Sequence, residues 1–159
     1  MSASSPAIAN EFIRRASLHS QYFTHMQLQK LVYIAHGWNL AINGEPLTDD
    51  VPQAWDYGPV YKSLYDALQR FGSGPVIGEI HASDDSGGAA LSAKERAVID
   101  RVFSDYGKFH AFQLSALTHQ DGTPWDEVYN HGVGRMSPID NSLIKRHFIE
   151  LANRPRRAA

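Results

Sequence analysis

The sequence predicts a single, mainly α domain of about six or seven helices with minor β content. Three observations carry this. Two capping boxes, Thr24 with Gln27 and Ser92 with Glu95, each open a run of apolar residues at helical spacing. Proline follows serine or threonine at Ser5-Pro6, Thr123-Pro124 and Ser137-Pro138, where a first helical turn loses nothing by the missing N–H. Extended stretches are confined to Gln53–Tyr57 and a brief Val76-Ile77.

The elements follow in order. Ser4-Ser5-Pro6 opens the first helix, and Ile8, Phe12, Ile13 and Ala16 make its apolar stripe. The second runs from the Thr24 box to Asn43, where Gly44 supplies a left-handed stop. Its Leu28, Leu31, Val32, Ile34, Ala35, Trp38, Ala41 and Ile42 cover over half the circumference, so it is expected at the centre of the fold. Gln29, His36 and Asn43, seven apart, leave a polar strip. Its ordinary reading is a solvated edge; its sharper one is a partner-facing seam or buried hydrogen-bond network. Gly58-Pro59 punctuates the chain, with Pro59 expected in the first turn of a third helix that carries Val60, Leu64, Ala67, Leu68 and Phe71 and ends at Gly72. Gly72 to Ala90 reads as a loop with one edge strand. The fourth helix, after Ser92, carries Val98, Ile99, Val102, Phe103 and Tyr106 and stops at Gly107; a fifth spans Ala111 to His119. Thr123-Pro124 starts a sixth with an acidic first turn, Asp126-Glu127, that suits the helix dipole. Ser137-Pro138 is expected to start the last, whose face is Ile139, Leu143, Phe148 and Leu151. Residues 1–5 read as a flexible N-terminus, 6–152 as the domain, and 153–159, with Arg154, Arg156 and Arg157, as a basic flexible tail.

Composition narrows the function. With 159 residues and 43% hydrophobic content, the chain can bury roughly 70% of its unfolded surface without staples. No cysteine is present, which excludes disulfides, thiolate metal sites and thiol nucleophiles. Fifteen basic against 17 acidic residues argue against a broad basic surface. Met1 to Ser5 is small and polar, and the apolar run Leu31 to Ile42 is broken by His36, Gly37 and Asn39. A cytoplasmic protein with no membrane partner is therefore expected.

The search for chemistry returns little. The eight histidines are scattered, without an HExxH or HxxxH pair, so no metal is expected. Gly72-Ser73-Gly74 follows a helix and not a strand, so it lacks the nucleophile-elbow context, and the nearby glycines do not match a phosphate loop. Asp49-Asp50 and Asp84-Asp85 lie in turn-like composition and read as solvated caps. No catalytic residue or cofactor is expected. Arg14-Arg15, Lys145-Arg146 and the arginine tail are short clusters, so nucleic acid is a minor alternative, in the form of a small helical DNA-binding regulator.

The surplus is aromatic, 11% of the chain. Trp55, Tyr57, Tyr61 and Tyr65 gather about the Gly58-Pro59 corner. Trp55 is expected to be a core residue with its N–H bonded to a carbonyl, and Tyr57 and Tyr61 to keep their hydroxyls at a wet edge.

Three blocks carry a resemblance: Leu28-Gln29-Lys30-Leu31-Val32-Tyr33-Ile34-Ala35-His36-Gly37-Trp38; Gly44-Glu45-Pro46-Leu47 with Ala54-Trp55-Asp56-Tyr57-Gly58-Pro59-Val60-Tyr61; and Leu117-Thr118-His119 with Pro124-Trp125. In order and approximate spacing, from about Ala7 to Leu151, they resemble the Panacea domain of SocA-like and GepA-like phage-associated proteins. The matching motif positions are Leu28, Leu31, Ala35, Gly37, Gly58, Pro59, Thr118, His119, Pro124 and Trp125. Departures are Thr48, where an aromatic often follows Pro-Leu, and Gly122-Thr123, which lengthen the link to Pro124.

The resemblance implies an antitoxin without chemistry of its own, which neutralises a cognate toxin by direct contact. SocA-type members also imply an adaptor that hands the toxin to the ClpXP protease, with ClpX as a second partner. Toxin contact is expected at Trp55, Asp56, Tyr57 and Tyr61, flanked by Gln29, Lys30 and Tyr33. These large aromatics with two side-chain torsions supply area at small ordering cost. The Asp84 to Gly88 loop and the arginine tail are alternative recruitment segments.

Overall fold

Helix α2 (His25–Asn43) is the element on which the others pack. In the computed structural model, residues 3–83 and 91–154 are described. α1 (Ser5–Leu18), α4 (Ala93–Tyr106), α5 (Ala111–His119) and α7 (Asn141–Ala152) surround α2, with α3 (Lys62–Leu68) against α1 and α2 and α6 (Pro124–Tyr129) beside α5. A two-stranded antiparallel hairpin, β1 (Gln53–Trp55) and β2 (Gly58–Val60), is the one sheet among the described residues. The mainly α class is as predicted, with seven α-helices among the described residues against the six or seven expected.

The local signals act as read. Both capping boxes are closed by both of their bonds, Ser4 and Thr123 cap α1 and α6, and Gly44 ends α2 at φ +77°. Leu28, Leu31, Val32 and Ala35 are sealed in the core. Where α2 crosses α7, the space a Cβ on Gly37 would take lies 2.1 Å from the Phe148 ring. Only glycine lets the two helices approach so closely.

Several expectations are corrected. Pro59 does not start α3; it lies in β2, opposite Ala54. That register explains the proline. Trp55↔Gly58 and Gln53↔Val60 flank it, so Pro59 holds a non-hydrogen-bonded position whose N–H would point away from β1. Ser137-Pro138 does not start α7 either. The chain here forms a short third rung on β1: Ala54 N–H donates to Ser137 O at 2.9 Å, and Gln53 bridges Pro138. α7 begins at Asn141 behind Asp140.

The polar strip of α2 is not solvated where it matters. Gln29 and His36 are buried, and so is Asn39, which holds the turn after Gly44 through Glu45 O at 2.8 Å. At the N-terminus, the described part of the stretch expected to be flexible is packed. Ala3 is buried and bridges Thr48, and Ser5 N–H donates to Asp50 Oδ2 at 2.7 Å. The Val76-Ile77 edge reduces to one bridge, Thr24 with Pro75, and the bond from Val76 N–H to Phe23 O. The Asp84 to Gly88 loop and the tail beyond Arg154 lie outside the described residues.

Candidate functional site

The hairpin is mounted on α2 by side chains in place of a neighbouring strand. Outward-facing backbone groups of β2 and the residue after it need partners. Gln29 supplies them for Tyr61: its Nε2 donates to Tyr61 O at 3.1 Å, and Tyr61 N–H donates to its Oε1 at 2.9 Å. Lys30 Nζ donates to Pro59 O at 2.8 Å. Gly58, at φ +116°, leaves room for that ammonium, since a Cβ here would stand 3.0 Å from Nζ and 3.2 Å from Thr118 Oγ1. Burial lowers the Lys30 pKa to about 7.

His36 fastens a second corner. Leu47 and Thr48 N–H both donate to its Nδ1, at 3.2 and 3.4 Å, and its Nε2 pairs with Asn141 Oδ1 at 2.8 Å. One imidazole thus joins α2, the connector into β1 and the start of α7. Burial lowers its pKa, and the Asn141 bond partly opposes the shift.

This mount presents the turn between the strands. Tyr57 is 71% exposed, yet its carbonyl is fixed by Ser115 Oγ of α5 at 2.8 Å. Asp56 Oδ1 accepts from Tyr129 Oη and Arg135 Nε, both at 2.7 Å. The Tyr129 bond foremost, then Arg135, holds the exposed carboxyl below its ordinary value. Trp125 Nε1 donates to Trp55 O at 2.6 Å and its ring stacks on Tyr129 at 4.4 Å. Trp55 is half-buried, lies 4.9 Å from the Tyr65 ring, and bonds through its N–H to Gln53 Oε1, not to a backbone carbonyl.

The structure therefore divides the expected contact residues. Trp55, Asp56 and Tyr57 are brought together at the surface. Gln29, Lys30, Tyr33 and Tyr61 are buried behind them, Tyr61 at 0% exposure, so they support the surface and do not form it. Tyr61 is no wet-edge tyrosine: its hydroxyl and that of Tyr33 are buried without a partner among the described residues. The motif positions are likewise supporting. Leu28, Leu31 and Ala35 are core, Gly37 admits Phe148, Thr118 and Pro124 are buried, and His119 packs edge-on against Trp125 at 5.4 Å.

Sequence reasoning missed the second half of the surface. Residues 130–136 carry Val133, 85% exposed, and Met136, also exposed. Arg135 binds Asp56 from this loop, and Met136 N–H donates to Ala54 O at 2.6 Å. Asn130, His131 and Met136 have positive φ, unusual for residues with side chains and a mark of a loop held in place by its surroundings. On α5, Phe112 is 86% exposed one turn before Ser115. The Asn130-His131-Gly132 run was the available signal, because asparagine and glycine tolerate that conformation.

Among the described residues no group of three or more His, Asp or Glu is placed to hold a metal, and no helix is long and apolar enough to cross a membrane. The basic pair Arg14-Arg15 is engaged by Glu11, Glu79 and Asp100, and Arg146 faces Glu127.

Residues 28–126 match the family described as Antitoxin SocA-like, Panacea domain. The chain belongs to this family. It is also 30% identical over 151 residues to Antitoxin SocA of Caulobacter vibrioides (strain NA1000 / CB15N), across 89% of this chain and 80% of that protein. No solved structure matches it significantly. The matched Panacea segment begins at Leu28 and ends at Asp126. It thus contains α2 from Leu28 on, with Gln29 and Lys30, the whole hairpin, and Trp125, whose indole is bonded to the hairpin backbone. The SocA-like family implies an antitoxin role and a toxin as partner.

Proposed function

We propose that this antitoxin neutralises its toxin by direct contact through the hairpin tip, Trp55, Asp56 and Tyr57, with Phe112, Val133 and Met136 around it. The carrying observation is Tyr57: a large aromatic side chain exposed to solvent on a backbone fixed by Ser115, between an anchored carboxylate and a constrained loop. Such an arrangement offers apolar area already ordered before binding, which is the economy of an anchor residue. The buried residues behind the tip act indirectly, by fixing its height and angle.

The test is co-expression with its cognate toxin, followed by a binding measurement. Tyr57→Ala and Phe112→Ala, both at exposed positions, are expected to remain folded and lose affinity, Tyr57→Ala by tenfold or more, on the order of a 2 kcal/mol hot spot. Unchanged affinity in both removes the tip as the contact. Delivery of the toxin to ClpXP is the finer part of this reading. It requires that toxin half-life shorten when antitoxin and ClpX are both present; a half-life set by the antitoxin alone leaves occlusion as the mechanism.

A further inference from the structure

Lys30 is held in a way a lysine rarely is. Its side chain is 1% exposed, and an ammonium has three hydrogens to place. It makes one hydrogen bond, to Pro59 O, and no ion pair among the described residues. Its surroundings offer no compensation. His25, five residues back on α2, interacts with it electrostatically, Tyr33 lies three residues on along the same helix, and α5 brings the neutral Thr118 hydroxyl to the same Gly58 position. The hydroxyls of Tyr33 and Tyr61 lack partners among the described residues, and Asp50 acts on the Tyr61 phenol. A buried charge without a counter-ion is costly, and the cost vanishes when the group is neutral or reaches water.

We propose that Lys30 is a proton-operated latch on the hairpin: the neutral amine seats β2 against α2, and taking up a proton favours lifting it. In the seated form an uncharged amine still donates to Pro59 O, and nothing charged is buried. In the lifted form the amine is hydrated and protonated. Seated, it titrates at about 7, against an ordinary 10.5, so lifting takes up close to one proton within that interval. The seated form consequently gains on the lifted one as pH rises from 7 toward 10.5, and no further change from Lys30 is expected below 7. The hairpin that Lys30 seats carries Asp56 and Tyr57 in its turn, so the latch regulates the tip. That functional meaning rests on the toxin-contact reading above; the latch itself belongs to the free chain.

The test is hydrogen exchange on the free chain, corrected for intrinsic rates, at about pH 7, 8 and 9. Residues 53–61 are expected to open separately from α2, with an opening constant that falls by up to about tenfold per pH unit. In Lys30→Met this slope disappears. Exchange of 53–61 only together with α2, a pH-independent opening, or an unchanged slope in Lys30→Met overturns the latch. Should Lys30→Met not fold, the Cε resonance of Lys30 in the intact chain decides: a midpoint near 7 supports the latch and one near 10.5 removes it. None of these measurements involves a toxin. A flat exchange profile beside an inactive Tyr57→Ala keeps the contact site and discards the latch, and the opposite pair of results does the reverse.

Discussion

Gln29 and Tyr61 exchange two hydrogen bonds, so that a glutamine amide on a helix stands where a neighbouring strand would pair with the chain leaving β2. Replacing Gln29 by leucine orphans a buried N–H and a buried C=O at once. Each such group costs about 1–3 kcal/mol, and Gln29→Leu is expected to lose about 2–6 kcal/mol in urea unfolding. A loss below about 0.5 kcal/mol would show that water replaces the amide.

Two tyrosines four residues apart are expected to behave oppositely. Tyr57→Ala removes an exposed ring and should leave stability within about 0.5 kcal/mol while weakening toxin binding. Tyr61→Ala empties a sealed core position and should cost about 3–5 kcal/mol, in the range of large aromatic truncations. Urea unfolding of both, beside a toxin-binding measurement on the folded variant, separates contact from support.

Stability should respond to pH through two buried groups in separate windows. Lys30 is lowered to about 7 from 10.5. The unfolded chain therefore binds the extra proton between those values, and stability rises with pH across that interval. His36 is lowered from 6.5; its contribution is fully present above 6.5 and declines as pH falls below it, when Nδ1 must take a proton and release Leu47 and Thr48. Urea midpoints across pH 5 to 9 check both. Lys30→Met should flatten the upper limb, and His36→Gln should flatten the lower one.

Gly37→Ala places a methyl inside the Phe148 ring. Since an adjacent helix must shift to admit it, the expected cost is at least about 1–3 kcal/mol. That corresponds to a fall in Tm of about 2–12 °C for a domain of this size. The pair Gly37→Ala with Phe148→Leu should recover part of the loss, whereas equal values for the single and double variants would place the strain elsewhere.

Helices were legible because their signals are local. A serine or threonine three residues before a glutamine or glutamate closes its own box at Thr24 and Ser92, whatever lies around it. The mount was not legible, because Gln29 meets a backbone that arrives thirty-two residues later. Nothing in a glutamine on an apolar helix distinguishes a water-facing amide from one that substitutes for a strand. Gly58-Pro59 misled for a related reason: proline suits the first turn of a helix and also a strand position whose N–H faces away from its partner. Only the register with Ala54 separates the two. The aromatic cluster was placed correctly as a neighbourhood, but residue type did not reveal that Tyr57 faces out and Tyr61 in.

Both flanks of the hairpin are closed. Residues 136–138 line β1, and Gln29 with Lys30 occupies the outward backbone groups beside β2. Unpaired strands recruit other strands indiscriminately, and proteins that must stay monodisperse cover or blunt them. Here what stays open is the turn, with the exposed Tyr57 side chain. The hairpin therefore offers an incoming strand little backbone to pair with on either side.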